Sequence, residues 1–220
     1  MKLLAFDTST EQLSIAVQHG DRVWCHRGAG GAQASSQLIP AILRLLAEAE
    51  LPLTSLHALV VGRGPGSFTG LRTACAVAQG LAFGAELPVL GIETLKALAP
   101  PVRSQDPHAT RVLAVLDARM QQVYAAAYEW RDNDWQTVRA PGLYDGQPET
   151  DPQLLESLRG HRDLGLHSGL LPASVQPLLA SGAVTGALKH RDPGRHVTTG
   201  VMGGDPRAWG DALLLAPVSC

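Results

Sequence analysis

The sequence predicts an α/β protein of two similar lobes, and three observations support this. Short apolar runs typical of buried strands and apolar patterns of helical period follow one another along residues 1–100. A glycine-rich loop over residues 62–70 joins one such strand to one such helix. The opening pattern of strand, aspartate and hairpin then recurs, since Asp7 precedes Leu13 by six residues and Asp117 precedes Val123 by six. A repeat of this kind implies two similar lobes, which we place at residues 1–102 and 103–220.

The first lobe opens as a meander of three strands. Lys2–Phe6 is an apolar run, Leu13–Val17 alternates in polarity, and Arg22–His26 follows a Gly-Asp turn. Apolar spacing predicts a helix from about Ser35 to Glu50. The elements predicted after it are a strand at Ala58–Val61, a helix at Ser67–Phe83 and a strand at Val89–Ile92.

The second lobe repeats the meander after a linker. A short helix from Thr94 is predicted to stop at Pro100-Pro101, and the polar stretch 103–110 is typical of a linker. The elements predicted beyond it are strands at Arg111–Leu116, Val123–Tyr128 and Trp135–Val138 and a helix at about Gln153–Leu158. Residues 165–220 contain many Gly and Pro residues, so we expect less regular packing beyond about residue 167.

The glycine loop could bind a ligand. Gly62, Gly64 and Gly66 allow close backbone approach, and a glycine loop at a helix N-terminus can bind phosphate. The loop lacks the Lys-Ser/Thr pair of a P-loop, however, and the Gly64-x-Gly66-x-x-x-Gly70 spacing is one residue too long for a dinucleotide fingerprint. Spacing alone therefore favours the alternative, a tight strand-to-helix turn without a ligand.

Two strand ends are candidate phosphate-facing positions. Asp7 is followed by the hydroxyls of Thr8 and Ser9, which is how an actin-like ATPase holds metal and phosphate. The alternative at this position is an Asx turn that closes a hairpin. Asp117, two residues before Arg119, allows an ion pair, a nucleotide contact or a turn.

Composition narrows the function classes. A net charge of −2 and a pI of 6.4 make a large basic nucleic-acid surface unexpected. The apolar runs are too short to cross a bilayer, no signal peptide is evident, and the three cysteines form no C-x-x-C pair, so we expect a cytoplasmic protein. The histidines contain no H-x-x-H or H-x-x-x-H pair, and no G-x-S-x-G elbow occurs. We therefore predict no metal site and no catalytic residue.

Several motifs together resemble those of the TsaB (YeaZ) family. The resemblance covers about residues 1–160, and its most specific part is the glycine string. The motifs are Ala5-Phe6-Asp7-Thr8-Ser9-Thr10, Gly62-Arg63-Gly64-Pro65-Gly66-Ser67-Phe68-Thr69-Gly70-Leu71-Arg72, Gln79-Gly80-Leu81-Ala82, Gly91-Ile92-Glu93-Thr94-Leu95 and Leu116-Asp117-Ala118-Arg119-Met120.

This resemblance implies an actin-like, ribonuclease-H-like (ASKHA) fold of two lobes and a role in tRNA modification. The product is N6-threonylcarbamoyladenosine at position 37 of tRNAs that read codons beginning with A. The transferase is TsaD, and TsaB is its non-catalytic partner. TsaE is an ATPase that joins them, and tRNA is reached through the complex. The resemblance gives TsaB no cofactor of its own and leaves ATP or ADP open within the complex.

The resemblance also implies that the paralogues pair through helices of their N-terminal lobes, and we expect self-dimerisation as well. The helix at residues 35–50 contains no histidine, whereas the transferase binds metal with an H-x-x-x-H helix. The helix at residues 67–83 is rich in small residues, which permit close helix approach. The predicted interface residues are Leu38, Ile42, Leu45, Leu46, Gly66, Phe68, Gly70, Leu71, Ala74 and Ala78.

One departure from the family and two alternative functions stand beside this interpretation. Family members usually close with Pro-Val-Tyr-Leu-Arg, whereas here Pro217-Val218 is followed by Ser219-Cys220, so the second lobe is expected to be truncated or divergent. A nucleotide-dependent actin-like enzyme, such as a kinase, is one alternative, and it needs a second phosphate loop that we do not find near Asp117. A peptidase is the other, and it needs the missing metal pair or nucleophile elbow.

Overall fold

The computed structural model describes residues 1–105 and 107–145. The helix predicted at Gln153–Leu158, the expected divergence of the second lobe and the packing beyond residue 167 lie outside these residues. The described residues form two compact units, one up to Ala97 and one from Leu98. The division falls slightly before the predicted residue 102, because the short helix that begins at Pro100 belongs to the second unit.

The first unit is built on a five-stranded mixed sheet with the order β3-β2-β1-β4-β5. The central strand β1 pairs antiparallel with β2 and parallel with β4, and β4 pairs parallel with β5. The carboxyl ends of β1, β4 and β5 therefore meet at one edge of the sheet, where open α/β sheets place their sites. The strands are β1 Lys2–Asp7, β2 Gln12–His19, β3 Arg22–Ala29, β4 Ala58–Gly62 and β5 Val89–Ile92.

Two helices pack on this sheet, α1 at Ala34–Glu48 and α2 at Phe68–Ala85. Ser67 caps α2 with its side-chain oxygen, which accepts a hydrogen bond from the amide of Gly70. The helix ends at Ala85, and its C-cap residue Glu86 adopts a left-handed conformation. The large apolar side chains of α1 join those of the sheet in one core, and each such buried side chain contributes about 1.5–3 kcal/mol by its removal from water.

The second unit contains a short helix and a three-stranded antiparallel sheet. Its elements are α3 Pro100–Gln105, β6 Arg111–Arg119, β7 Gln122–Arg131 and β8 Asp134–Asp145. The predicted short helix does end before Pro100-Pro101, as a 3-10 helix at Lys96–Leu98. The same two prolines then begin α3, where their missing N–H groups are tolerated, so the prediction of a linker is wrong for residues 103–105. The strands are longer than predicted at both hairpins. Trp135 is buried and contacts Trp130 edge to face, which explains how β7 and β8 extend beyond the short apolar run.

Within the described residues, no helix is both long and apolar enough to cross a membrane.

Candidate functional site

The site begins with a turn at the carboxyl end of β1, formed by Asp7, Thr8 and Ser9. Asp7 Oδ1 accepts two hydrogen bonds, from the amide of Ser9 at 2.7 Å and from Ser9 Oγ at 2.6 Å. All three side chains are buried, with Thr8 fully so. The hydrogen bond from the amide two residues on makes this an Asx turn, the alternative considered from the sequence.

The glycine loop packs directly on this turn. The amide of Ser67 donates to the carbonyl oxygen of Ser9 at 2.6 Å, and the amide of Thr94 donates to that of Gly64 at 2.9 Å. A Cβ atom on Gly66 would overlap the backbone of Ser9. The glycines are therefore needed for close packing between the loop and the turn.

Thr8 connects the turn to α2. Its Oγ1 donates a hydrogen bond of 2.6 Å to the carbonyl oxygen of Gly70. A Cβ atom on Gly70 would overlap the carbonyl oxygen of Thr8, so glycine is required there by contact alone. The first turn of α2 thus lies directly against the Asp7–Ser9 turn.

The second carboxylate oxygen of Asp7 is buried beside Gly62. Neither Asp7 Oδ2 nor Thr94 Oγ1 has a hydrogen-bond partner among the residues that the structure describes. A Cβ atom on Gly62 would overlap Asp7 Oδ2 and lie 3.4 Å from Thr94 Oγ1. Burial raises the pKa of Asp7 above its ordinary value, and the hydrogen bonds from Ser9 and the nearby hydroxyl of Thr94 oppose this only in part. The carboxyl of Asp7 therefore holds its proton more tightly in the folded chain than in the unfolded chain.

The three side chains predicted to face a phosphate are buried, and their hydroxyls and Asp7 Oδ1 bond to the chain itself, whereas Asp7 Oδ2 has no partner among the described residues. A phosphate contact by Asp7, Thr8 or Ser9 stays a prediction. Asp117 lies in the second unit at the end of β6, is exposed, and accepts a hydrogen bond from the amide of Arg119 at 2.7 Å. A phosphate contact by Asp117 stays a prediction.

The structure reveals a second feature, which we call the outer face of α2. Its residues are exposed and lie on the side of the helix opposite Gly70, Ala74 and Ala78, which are buried. It has an aromatic residue near each end, since Phe68 is 68% and Phe83 is 90% exposed. The guanidinium of Arg72 lies over the Phe68 ring at 3.9 Å. The outer face consists of Phe68, Arg72, Cys75, Ala76, Gln79, Gly80 and Phe83.

The interface prediction is wrong for most of its residues, because they are buried in the chain's own core. The buried members are Leu38, Ile42, Leu45, Leu46, Gly70, Ala74 and Ala78. Gly66 and Leu71 are half-buried, and Phe68 is exposed. The small residues of α2 let the helix approach β1 and the turn after it, rather than a partner.

Sequence reasoning missed Ala76, Gly80 and Phe83 because both sides of α2 carry small or apolar residues. The spacing of residues around the helix carries a signal of two separate faces. Gly70, Ala74 and Ala78 recur every four residues on one side. Phe68, Arg72, Ala76 and Gly80 recur in the same way on the other side. Periodicity alone does not say which stripe faces the sheet.

Comparison with known proteins places the fold and the family. The model of the TsaD family, tRNA N6-adenosine threonylcarbamoyltransferase, matches residues 30–144. The tRNA threonylcarbamoyladenosine biosynthesis protein TsaB of Escherichia coli is 36% identical over 191 residues, 81% of each chain. The TsaB of Haemophilus influenzae is 43% identical over 125 residues, 56% of this chain and 52% of that protein. The structure of YeaZ from Pseudomonas aeruginosa matches with a TM-score of 0.64 at 33% identity, covering 83% of this chain and 91% of that one.

The mixed sheet, its helices and these matches define an α/β protein of the actin-like, ribonuclease-H-like class. The chain belongs to the TsaB (YeaZ) family, whose members in Escherichia coli and Haemophilus influenzae are named as tRNA threonylcarbamoyladenosine biosynthesis proteins.

Proposed function

We propose that this chain is a non-catalytic subunit of a complex that forms N6-threonylcarbamoyladenosine at position 37 of tRNAs reading codons that begin with A. Family membership supports the pathway. One structural observation supports the role of partner: the outer face of α2 is exposed and carries two exposed phenylalanines and small residues beside Arg72 and Gln79. In this proposal the chain works in the cytoplasm and reaches tRNA only through the complex.

The composition of the outer face favours a protein partner. Phe68 and Phe83 leave most of their surface in water, and burial of each ring by a partner would contribute about 1.5–3 kcal/mol. Cβ atoms on Gly80 and Gly84 would meet nothing within 4 Å. Glycine inside an exposed helix costs about 1 kcal/mol relative to alanine, and no contact within 4 Å of these two Cβ positions requires it. A closely approaching partner helix would make use of both.

The proposed occupant of the outer face is a TsaD-type transferase, and a second copy of this chain is proposed to use the same face when the transferase is absent. Small residues at Cys75, Ala76 and Gly80 allow two helix axes to approach closely between the two aromatic residues. A TsaE-type ATPase joins the pair, and any ATP or ADP is held in that complex.

The non-catalytic role is supported by the contacts of the polar residues at the carboxyl end of β1. Asp7 bonds to Ser9, and Thr8 bonds to the backbone of α2. Of the groups that an actin-like enzyme would offer to metal and phosphate, Asp7 Oδ1 and both hydroxyls are engaged in internal hydrogen bonds, and Asp7 Oδ2 is buried beside Gly62.

The test is a pull-down with the TsaD-type transferase of the same organism, together with restoration of the modification in a strain that lacks its own TsaB. The variants are Ala76→Arg and Gly80→Arg, which place a charge in the centre of the outer face. Ala140→Arg is the matched control, since Ala140 is an exposed residue of β8 in the second unit. Circular dichroism verifies that each variant is folded.

We expect the wild type and Ala140→Arg to bind the transferase and restore the modification. We expect the two α2 variants to stay folded and lose both. Unchanged binding by both α2 variants would show that the docking face is elsewhere. Modification or peptide hydrolysis by the isolated chain, without a transferase, would overturn the non-catalytic assignment.

A further inference from the structure

We propose that the Asp7–Ser9 turn is a positioning element, which occupies the N-terminus of α2 in place of an anion and fixes the helix that carries the outer face. The inference rests on the proposed function, because it concerns the proposed docking helix.

Glycine loops that precede helices commonly present free amides and the positive end of the helix dipole to an anion. In this chain the backbone of the turn fills that place. The carbonyl oxygen of Ser9 accepts from the amide of Ser67 at 2.6 Å, and the carbonyl oxygen of Thr8 lies against Gly70 in the first turn of α2. The negative end of the Ser9 peptide dipole thus faces the positive end of the helix, and the Thr8 carbonyl packs against Gly70.

The Thr8 side chain adds the specific link between turn and helix. Its Oγ1 donates to the carbonyl oxygen of Gly70 in a fully buried environment. The turn follows directly from the central strand β1, so it relates the position of α2 to that of the sheet. Phe68 and Arg72 of the outer face lie in the helical turns that this contact holds.

Thr8→Val tests the link, because valine has nearly the shape of threonine but cannot donate the hydrogen bond. Thr8→Ser is the control, since serine keeps the hydroxyl. The first measurement is amide hydrogen exchange along α2 in the isolated chain. The second is the Kd for the transferase.

In Thr8→Val we expect faster exchange at residues 70–73 and unchanged exchange at residues 81–85. We expect the Kd for the transferase to rise about tenfold, because without this hydrogen bond only about one tenth of the molecules keep the first turn of α2 in the docking position. Thr8→Ser should keep the wild-type exchange and the wild-type Kd, because serine keeps the hydrogen bond. If the effect came from a general loss of packing at this position, Thr8→Ser would change both as well.

Exchange that changes uniformly along α2, or not at all, would overturn the positioning role. So would a loosened first turn with an unchanged Kd. If the wild-type chain itself fails to bind the transferase, the proposed function fails, and the exchange pattern of the isolated chain still decides whether the turn holds the helix.

Discussion

Gly70 lies against the backbone of Thr8 so closely that a Cβ atom there would overlap the carbonyl oxygen of Thr8. Gly80, further along the same helix, has nothing within 4 Å of its Cβ position.

The two glycines therefore allow a matched comparison. Gly70→Ala forces α2 away from the turn and should destabilise the chain by about 1–3 kcal/mol or more. Gly80→Ala should stabilise it by about 1 kcal/mol, because alanine is the better helix former. Urea unfolding of both variants gives the two free energies. Equal effects of the two substitutions would show that Gly70 is not in close contact.

The buried carboxyl of Asp7 predicts a pH dependence of stability. Its pKa is raised in the folded chain by burial, so the folded state binds this proton more tightly than the unfolded state does. The stabilising contribution is present below the ordinary aspartate pKa of about 3.9 and is lost as the pH rises through the raised value.

Asp7→Asn tests this dependence, because its amide oxygen can still accept the hydrogen bonds of Ser9 and carries no charge. The unfolding free energy of the wild type minus that of Asp7→Asn should fall with rising pH across this range and then level off. Asp7→Ala, which leaves the Ser9 donors unpaired, should be less stable than Asp7→Asn. A difference that increases with pH would contradict the raised pKa.

Ala74 and Ala76 distinguish the core side of α2 from its outer face. Ala74 is 1% exposed, whereas Ala76 is exposed. Ala74→Arg should cost about 3–5 kcal/mol, since it buries a charge without a partner. Ala76→Arg should change stability by no more than about 0.5 kcal/mol, as exposed substitutions do. Thermal melts of the isolated chain measure both, and a folded, stable Ala74→Arg variant would refute the assigned orientation of α2.

Much of the first unit follows from the sequence, because its apolar residues recur with clear period. The strand at Val89–Ile92 has the predicted limits, and both long helices lie within two residues of their predicted limits. The boundaries near Pro100 were harder, since the same prolines that end a helix also begin one. The long strands of the second unit were underestimated because Glu129 and Arg131 continue β7 beyond its apolar run, and Arg111 forms an ion pair with Glu129 across the sheet.

The site was less predictable than the fold. The sequence motifs single out Asp7, Thr8 and Gly70 as candidate functional residues. A buried turn and a phosphate loop, however, require the same residue types. What separates them is whether the loop amides face the chain or a ligand, and this depends on contacts between residues about sixty positions apart. The orientation of α2 was ambiguous for a related reason: small residues suit both internal packing and docking.

Cys75 offers a direct measure of docking. It is exposed on the outer face of α2, whereas Cys25 on β3 is half-buried. Binding of the transferase should slow alkylation of Cys75 and leave the alkylation of Cys25 unchanged. Site-resolved mass spectrometry after brief iodoacetamide treatment gives both rates. Unprotected Cys75 in a saturated complex would exclude the centre of the outer face from the interface.

The hairpin between β6 and β7 carries a backbone conformation that its residues disfavour. Its central residues Met120 and Gln121 have φ values of 52° and 62°, and the preceding Arg119 has 65°. Turns with two positive φ values favour Asn-Gly, because left-handed backbone costs other residues about 1–2 kcal/mol. Met120 is 91% exposed, so replacing it removes little packing.

Met120→Asn combined with Gln121→Gly should therefore stabilise the hairpin by about 1 kcal/mol, which would slow amide exchange of β6 and β7 about fivefold. The second hairpin, between β7 and β8, supplies the control. Its turn residues Asp132 and Asn133 have φ values of 52° and 64° and already suit this conformation. Asn133→Gly should therefore change exchange by much less. Faster exchange in the double variant would mean that Met120 or Gln121 makes a stabilising contact that outweighs the strain of the turn.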